Sequence, residues 1–195
     1  TPPARTIPGV DYLIDLNTGE LTQLPYDIAG RAHGYAVSPD GTMVAYTAGV
    51  GGNATTFEPA TSQVFIANLD FTDVKQVTHD QRGAGQPAWS PDGEAIAYTS
   101  AYPAGDEGVS NIFVLDLATG ETSQVTNEKP EKPTTEPFGA YFPQFSLDGA
   151  SIIYEVNRGD GFSMRIVPVT GGKSVLLVGG GKNNVEAWAG TLSSD

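Results

Sequence analysis

The tetrapeptide Ser-Pro-Asp-Gly recurs along the chain and constrains its fold more than any other feature. It occupies residues 38–41 and 90–93, and Ser-Leu-Asp-Gly occupies residues 146–149. Each copy follows a large apolar residue, and a tyrosine stands eight residues after each serine. The tyrosines are Tyr46, Tyr98 and Tyr154. A pattern held at fixed offsets in three copies indicates an internal structural repeat.

A second module alternates with the first. It reads Leu-Ile-Asp-Leu-Asn-Thr-Gly-Glu at 13–20 and Phe-Val-Leu-Asp-Leu-Ala-Thr-Gly-Glu at 113–121, with weaker copies at 65–72 and 165–172. An apolar residue stands nine positions after the Asp, or its equivalent, in every copy. The chain therefore holds four copies of this module and three of the tetrapeptide module.

Each module is predicted to form a β-hairpin. Proline sets φ for the first central position of a turn, Asp suits the second, and Gly takes the left-handed conformation that follows. The flanking residues are short, β-branched and aromatic, as in strands, and no stretch has a sustained helical period. Two hairpins per repeat make a four-stranded antiparallel sheet, and a row of such sheets is a β-propeller. The sequence predicts an all-β propeller.

Composition excludes several functions. The net charge of −13 argues against nucleic acid and anionic membrane surfaces, which attract clustered positive charge. No apolar run approaches the ~20 residues of a membrane-spanning helix, so no membrane insertion is expected. The absence of cysteine excludes disulfides, thiolate metal sites and a cysteine nucleophile. We predict no cofactor and no resident metal.

The second repeat carries a family resemblance. Residues 89–93, 96–98, 112–116 and 124–126 resemble the TolB-type, WD40-like β-propeller repeat, and the likeness extends over about residues 11–190. That family includes the propeller domains of some prolyl-oligopeptidase-like peptidases. The motif is specific for fold and unspecific for function. The resemblance implies a bacterial, extracytoplasmic (periplasmic or secreted) setting.

The repeats predict a single propeller domain over residues 1–195. Three complete blades are expected at residues 33–78, 86–126 and 141–178, with partial blades at 11–24 and 183–195. Three arrangements remain open at this stage. The two partial blades close a four-bladed monomer, or two chains exchange them in a homodimer, or the sequence is a piece of a longer propeller.

Blade geometry indicates where a ligand would bind. If strands A to D run outward from the axis, the A–B and C–D turns lie on one face. The B–C and D–A connections lie on the other. The first set is short and uniform and the second varies in length, so we predict the binding site on the B–C/D–A face. Candidate ligand-binding residues just before each A strand are Arg31, His33, Tyr35, Arg82, Gln86, Tyr141, Phe142, Asn184 and Glu186.

The first hypothesis for function is a non-catalytic scaffold that binds a protein or peptide, with carbohydrate as another ligand class. A rival is a metal-dependent polysaccharide lyase, for which His33 and His79 are the only histidines available. The third is the gating propeller of a peptidase. No Gly-x-Ser-x-Gly nucleophile motif occurs in the chain, and we predict no catalytic residues.

Overall fold

The computed structural model describes residues 12–15, 17–23, 32–50, 61–101, 109–129, 138–157 and 162–179. Every regular element in this part of the chain is a β-strand. A membrane-crossing helix is absent from the same residues. The strands are β1 (Tyr12–Ile14), β2 (Leu21–Gln23), β3 (Ala32–Val37), β4 (Met43–Val50), β5 (Thr61–Asn68), β6 (Lys75–Gln76), β7 (Ala84–Trp89), β8 (Ala95–Ala101), β9 (Ser110–Asp116), β10 (Thr122–Gln124), β11 (Gly139–Phe145), β12 (Ser151–Asn157), β13 (Phe162–Pro168) and β14 (Val175–Gly179).

The strands pair in chain order. β1 and β2 form a hairpin, and β3 to β6 form a four-stranded antiparallel meander, called here the first meander. β7 to β10 form the second meander and β11 to β14 the third; a single parallel bridge between Gly139 and Ser110 joins these two. The all-β, antiparallel prediction is confirmed. The blade limits stay predictions, and the partial blade proposed at 183–195 lies outside the described residues.

The repeated tetrapeptide forms the same turn three times. In the first copy the Ser38 hydroxyl donates to the Asp40 carboxylate over 2.6 Å and accepts the amide of Met43 over 2.9 Å. Equivalent bonds occur in the second and third copies. The serine hydroxyl, followed by a backbone amide, holds the pKa of Asp40 below its ordinary value. The motif is therefore a self-contained polar turn, which explains its acidic residue without a bound cation.

The turns of the second module are capped in a similar way. Asp116 Oδ1 accepts the backbone amides of Ala118 and Thr119, over 2.9 and 2.8 Å. Asp15 does the same in the β1–β2 hairpin. Those amides lower the pKa of both carboxyls. Both aspartates have a scaffold role, as their shared repeat position indicates.

The apolar core lies between successive meanders. Val64 and Ile66 of the first meander pack with Ile96 and Tyr98 of the second. A second cluster joins the second and third meanders in the same way, with its buried side chains drawn from both. The meanders thus pack face to face, and each is stabilised mainly by its neighbours.

The first strands of successive meanders, β3, β7 and β11, contact one another, so we call them the inner strands. Trp89 strengthens this contact, because its indole N–H donates to the carbonyl of Ala36 over 2.9 Å. The two sets of tight turns also meet: Leu69 N donates to the carbonyl of Thr42, and Leu117 N to that of Glu94. We call that end the turn end, and the end with the longer connections the mouth end.

Candidate functional site

All three inner strands bulge near the mouth end. Their pairing with the second strand of the meander shifts between His33 and Ala36, between Gly85 and Ala88, and between Tyr141 and Gln144. One residue in each bulge has left-handed backbone: Gly34 at φ 64°, Gln86 at 56° and Phe142 at 51°. We call these three residues the bulge row.

Glycine adopts left-handed backbone at almost no conformational energy cost, whereas for Gln86 and Phe142 this conformation costs on the order of 1–2 kcal/mol each. Such strain persists only where the surroundings hold it, and it concentrates at functional sites. Phe71 and Asp73, in the connection between β5 and β6, have the same backbone conformation. The bulge row is distinguished by its repetition on three neighbouring inner strands, and this repetition makes it the candidate site.

Hydrogen bonds connect the bulge row from one meander to the next. The amide of Gln86 donates to the Thr47 hydroxyl of the first meander over 3.0 Å. The side-chain carbonyl of Gln86 accepts the Thr99 hydroxyl over 2.8 Å and the amide of Phe142 over 3.1 Å. A Cβ on Gly34 would lie 3.6 Å from the Cα of Gln86. These contacts fix the backbone on which the Phe142 ring is presented.

Phe142 is the exposed aromatic of the bulge row. Its side chain is 43% exposed, although the residue lies in an inner strand. Tyr141 beside it is half-buried, and its hydroxyl donates to the carbonyl of Phe138 over 3.2 Å. The mouth end thus presents an apolar ring on a held backbone, beside an amide side chain.

The position of the candidates needs one correction. His33, Tyr35, Gln86, Tyr141 and Phe142 lie inside the inner strands, not just before them. The bulges cause the difference, because each strand continues through an irregular step that sequence spacing does not reveal.

The other candidates are placed as follows. Tyr35 packs against Tyr46 and Phe71, with ring centroids 6.1 and 6.4 Å away, so it belongs to a cluster of the first meander. Arg82 is exposed, and its amide donates to the Asp80 carboxylate over 2.9 Å. The side chain of His33 lies outside the described residues, as do Arg31, Asn184 and Glu186.

His79 does not join a metal site in the described residues. Its Nδ1 lies 2.9 Å from the side-chain amide nitrogen of Gln76, so that ring nitrogen accepts the amide proton. Within the described ranges, no three His, Cys, Asp or Glu side chains group as metal ligands would.

Two buried polar networks were missed from the sequence. In the second meander, the Asn111 side-chain carbonyl accepts the Thr126 hydroxyl over 3.0 Å and the amide of Glu128 over 2.7 Å. The Thr126 hydroxyl in turn accepts the amide of Ile112. In the first meander Gln63, Thr78 and Asp80 repeat the arrangement. We call these networks the two latches. The sequence signal that could have indicated them is a Thr two residues before an acid, which occurs in both copies.

Each latch reaches the following meander through its acid. The Ser100 hydroxyl of β8 donates to the Asp80 carboxylate, and the Tyr154 hydroxyl of β12 donates to Glu128 over 3.2 Å. The latches therefore join neighbouring meanders at the mouth end, where the candidate site lies.

Glu155 was also missed and is the most unusual side chain near the site. It directly follows the repeat tyrosine, where the other two meanders have Thr47 and Thr99. It is 5% exposed, and its strand neighbours are Tyr141 and Met164. Burial raises the pKa of its carboxyl above the ordinary value of 4.5.

Glu155→Gln is expected to stabilise the protein at pH 7, by about 1 kcal/mol or ~2–4 °C in Tm. An acid whose folded pKa is raised loses stability as pH rises from the unfolded pKa through the folded one. The gain should therefore fade as the pH falls toward 4.5. Thermal melts from pH 4 to 8 test this. Glu128→Gln is the control, because that buried acid accepts a hydroxyl and should give no gain; a lower Tm for Glu155→Gln at pH 7 would contradict the prediction.

The meanders, packed face to face around contacting inner strands, define a β-propeller. A profile of the family described as TolB beta propeller domain matches residues 34–193, and the chain belongs to that family. The resemblance seen in the repeat is thereby confirmed.

Similar proteins include peptidases and TolB. The uncharacterized peptidase YuxL of Bacillus subtilis is 28% identical over 127 residues, 65% of this chain and 17% of that protein. Dipeptidyl-peptidase 5 of Porphyromonas gingivalis is 36% identical over 85 residues, 43% of this chain and 12% of that protein. The crystal structure of TolB from Acinetobacter baumannii has a TM-score of 0.66 at 19% identity, covering 89% of this chain and 38% of that one. This chain spans less than a fifth of either peptidase, and the structural likeness shows the fold alone.

Proposed function

We propose that this propeller is a non-catalytic scaffold that binds a protein or peptide at its mouth end, in an extracytoplasmic compartment. The observation that carries the proposal is Phe142, an exposed aromatic on a strained bulge. A side chain of this kind serves as an anchor in protein recognition, since aromatics dominate binding hot spots.

The bulge row favours binding for a further reason. The bulges are held because the amide of Gln86 donates to the Thr47 hydroxyl and the amide of Phe142 donates to the Gln86 side-chain carbonyl. Little conformational freedom is therefore left to lose when a partner binds. Preorganisation of this kind raises affinity by lowering the entropic cost of association.

A second candidate is the propeller of a peptidase, which the two peptidase relatives favour. Both candidates place a peptide at the mouth end, and they differ in whether a catalytic domain accompanies the propeller. Neither the described residues nor the relatives above support a carbohydrate ligand, a homodimer or the lyase alternative.

Selection from a random heptapeptide phage library tests the proposal. Free peptides made from the selected clones are expected to bind the parent protein and to lose at least tenfold in affinity for Phe142→Ala, which removes the aromatic anchor. Isothermal titration measures both affinities. Leu147→Ala is the matched control, because Leu147 is an exposed apolar residue, 61% accessible, in a turn at the opposite end.

Two results would refute binding at the mouth end. One is a selection that yields no binder. The other is a set of binders whose affinity falls equally in Phe142→Ala and Leu147→Ala.

A further inference from the structure

Glu155 occupies a position that has a defined task in the other two meanders. Thr47, Thr99 and Glu155 each follow the repeat tyrosine on the second strand. Thr47 lies opposite His33, and Glu155 opposite Tyr141, in the same register of the bulged pair. The three side chains therefore leave the sheet on the same face, because side chains alternate strictly along a strand.

That face points toward the following meander. A Cβ on Gly85 of the second meander would lie 3.0 Å from the Thr47 side chain, and the amide of Gln86 donates to the Thr47 hydroxyl. Thr99 acts through Gln86, whose carbonyl accepts both the Thr99 hydroxyl and the amide of Phe142. In both meanders a neutral hydroxyl at this position is therefore enough. Thr47 accepts the N–H of Gln86 directly, and Thr99 donates to the Gln86 carbonyl that accepts the N–H of Phe142.

In the third meander a carboxylate takes the place of that hydroxyl. Glu155 is 5% exposed, and its carboxylate oxygens keep a little contact with solvent. No side chain or amide of the described residues donates a hydrogen bond to them, and burial alone shifts the pKa of the carboxyl. The neighbouring Tyr141 hydroxyl already donates its hydrogen bond to the Phe138 carbonyl. The side chain of Met164, the other strand neighbour, has no hydrogen-bond donor. An ionised carboxylate with so little solvent contact is costly unless it meets a donor, and a cation is the donor that compensates its charge.

Glu155 also lies close to the aromatic of the bulge row. Cross-strand partners such as Glu155 and Tyr141 have Cα atoms about 4.5–5.5 Å apart, and Phe142 is one residue further, about 3.8 Å. One or two residues of an extended peptide, at roughly 3.3 Å each, span that separation. The chain's net charge of −13 also attracts cationic partners.

We propose that Glu155 is a binding residue for a cationic group of the peptide, an ammonium or a guanidinium, held beside the Phe142 anchor. The inference rests on the function proposed above and specifies the chemistry of the ligand. It explains why this copy of the repeat carries an acid where its two counterparts carry threonine.

The test uses the selected heptapeptides, with each positive charge removed in turn by N-terminal acetylation, Lys→Gln or Arg→citrulline. For the charge that contacts Glu155, removal is expected to weaken binding to the parent protein at least tenfold. The same removal should weaken binding to Glu155→Gln less than twofold, because a double-mutant cycle gives this result for two groups in direct contact. Glu155→Thr restores the residue of the other meanders and should behave like Glu155→Gln. Glu94→Gln, an exposed acid at the turn end, should behave like the parent.

The inference and the proposed function fail in different ways. Peptides that bind through Phe142 but lose equal affinity in the parent, Glu155→Gln and Glu155→Thr on charge removal would overturn the role of Glu155 and leave the peptide-binding function standing. A selection without Phe142-dependent binders would remove the function and the inference together. Circular dichroism of both Glu155 variants shows that the fold is intact in each comparison.

Discussion

Gly139→Ala is expected to reduce the free energy of unfolding by more than about 4 kcal/mol, a large share of the 5–15 kcal/mol of a typical domain. Gly139 has φ of 130°, where L-residues are strained, and its missing Cβ leaves room for the backbone of Ser110. An added Cβ would overlap the Ser110 carbonyl oxygen and lie 2.5 Å from its nitrogen. Since these are backbone atoms, the clash is relieved only by separating β9 from β11 at their single bridge.

Gly120→Ala is the matched control for this substitution. Gly120 also has positive φ, 74°, but a Cβ there meets nothing within 4 Å. It should cost about 1–2 kcal/mol, the backbone strain alone. Urea denaturation followed by fluorescence measures both variants; equal losses in the two would show that the close approach at Gly139 does not matter.

Asn111→Leu is expected to cost about 3 kcal/mol, although the two side chains have the same number and branching of heavy atoms. Asn111 is 1% exposed, and its carbonyl accepts the Thr126 hydroxyl and the amide of Glu128. Leucine offers no acceptor, so both donors lose a buried partner and one latch is broken. Denaturant titration gives the difference in unfolding free energy.

Gln124→Leu controls for the loss of an amide as such. Gln124 is exposed, and its side chain donates to the carbonyl of Thr126 over 2.7 Å. Water replaces that bond when it is lost, so we expect a cost below about 1 kcal/mol. An Asn111→Leu variant as stable as Gln124→Leu would mean that the latch contributes little.

The fold was predictable because its determinants are local. Ser38, Asp40 and Gly41 make a turn almost entirely among themselves, so the motif indicates a hairpin wherever it occurs. Because the two kinds of hairpin alternate along the sequence and are joined by short connections, consecutive strands must pair antiparallel. The strand order of each meander needed no longer-range information.

The site was predictable only in part. Gln86 and Phe142 were predicted as candidates from their place near an inner strand. Their positive φ was not predictable, because neither residue type favours it and only Gly34 of the same row indicates it. The latches depend on contacts such as Thr126 with Asn111, fifteen residues apart, which no local rule anticipates. Glu155 was identifiable from the sequence, since it stands at a repeat position that is threonine in both other copies.

The latches bear on how a chain of this kind can lengthen or shorten in evolution. Each latch has an acid at the end of one meander that accepts a hydrogen bond from the next meander. The donor is a hydroxyl on the second strand of that next meander, Ser100 or Tyr154. A duplicated segment would carry both halves of the contact, its acid facing forward and its hydroxyl facing back. Gene duplication could therefore insert a further copy without redesigning the junctions on either side.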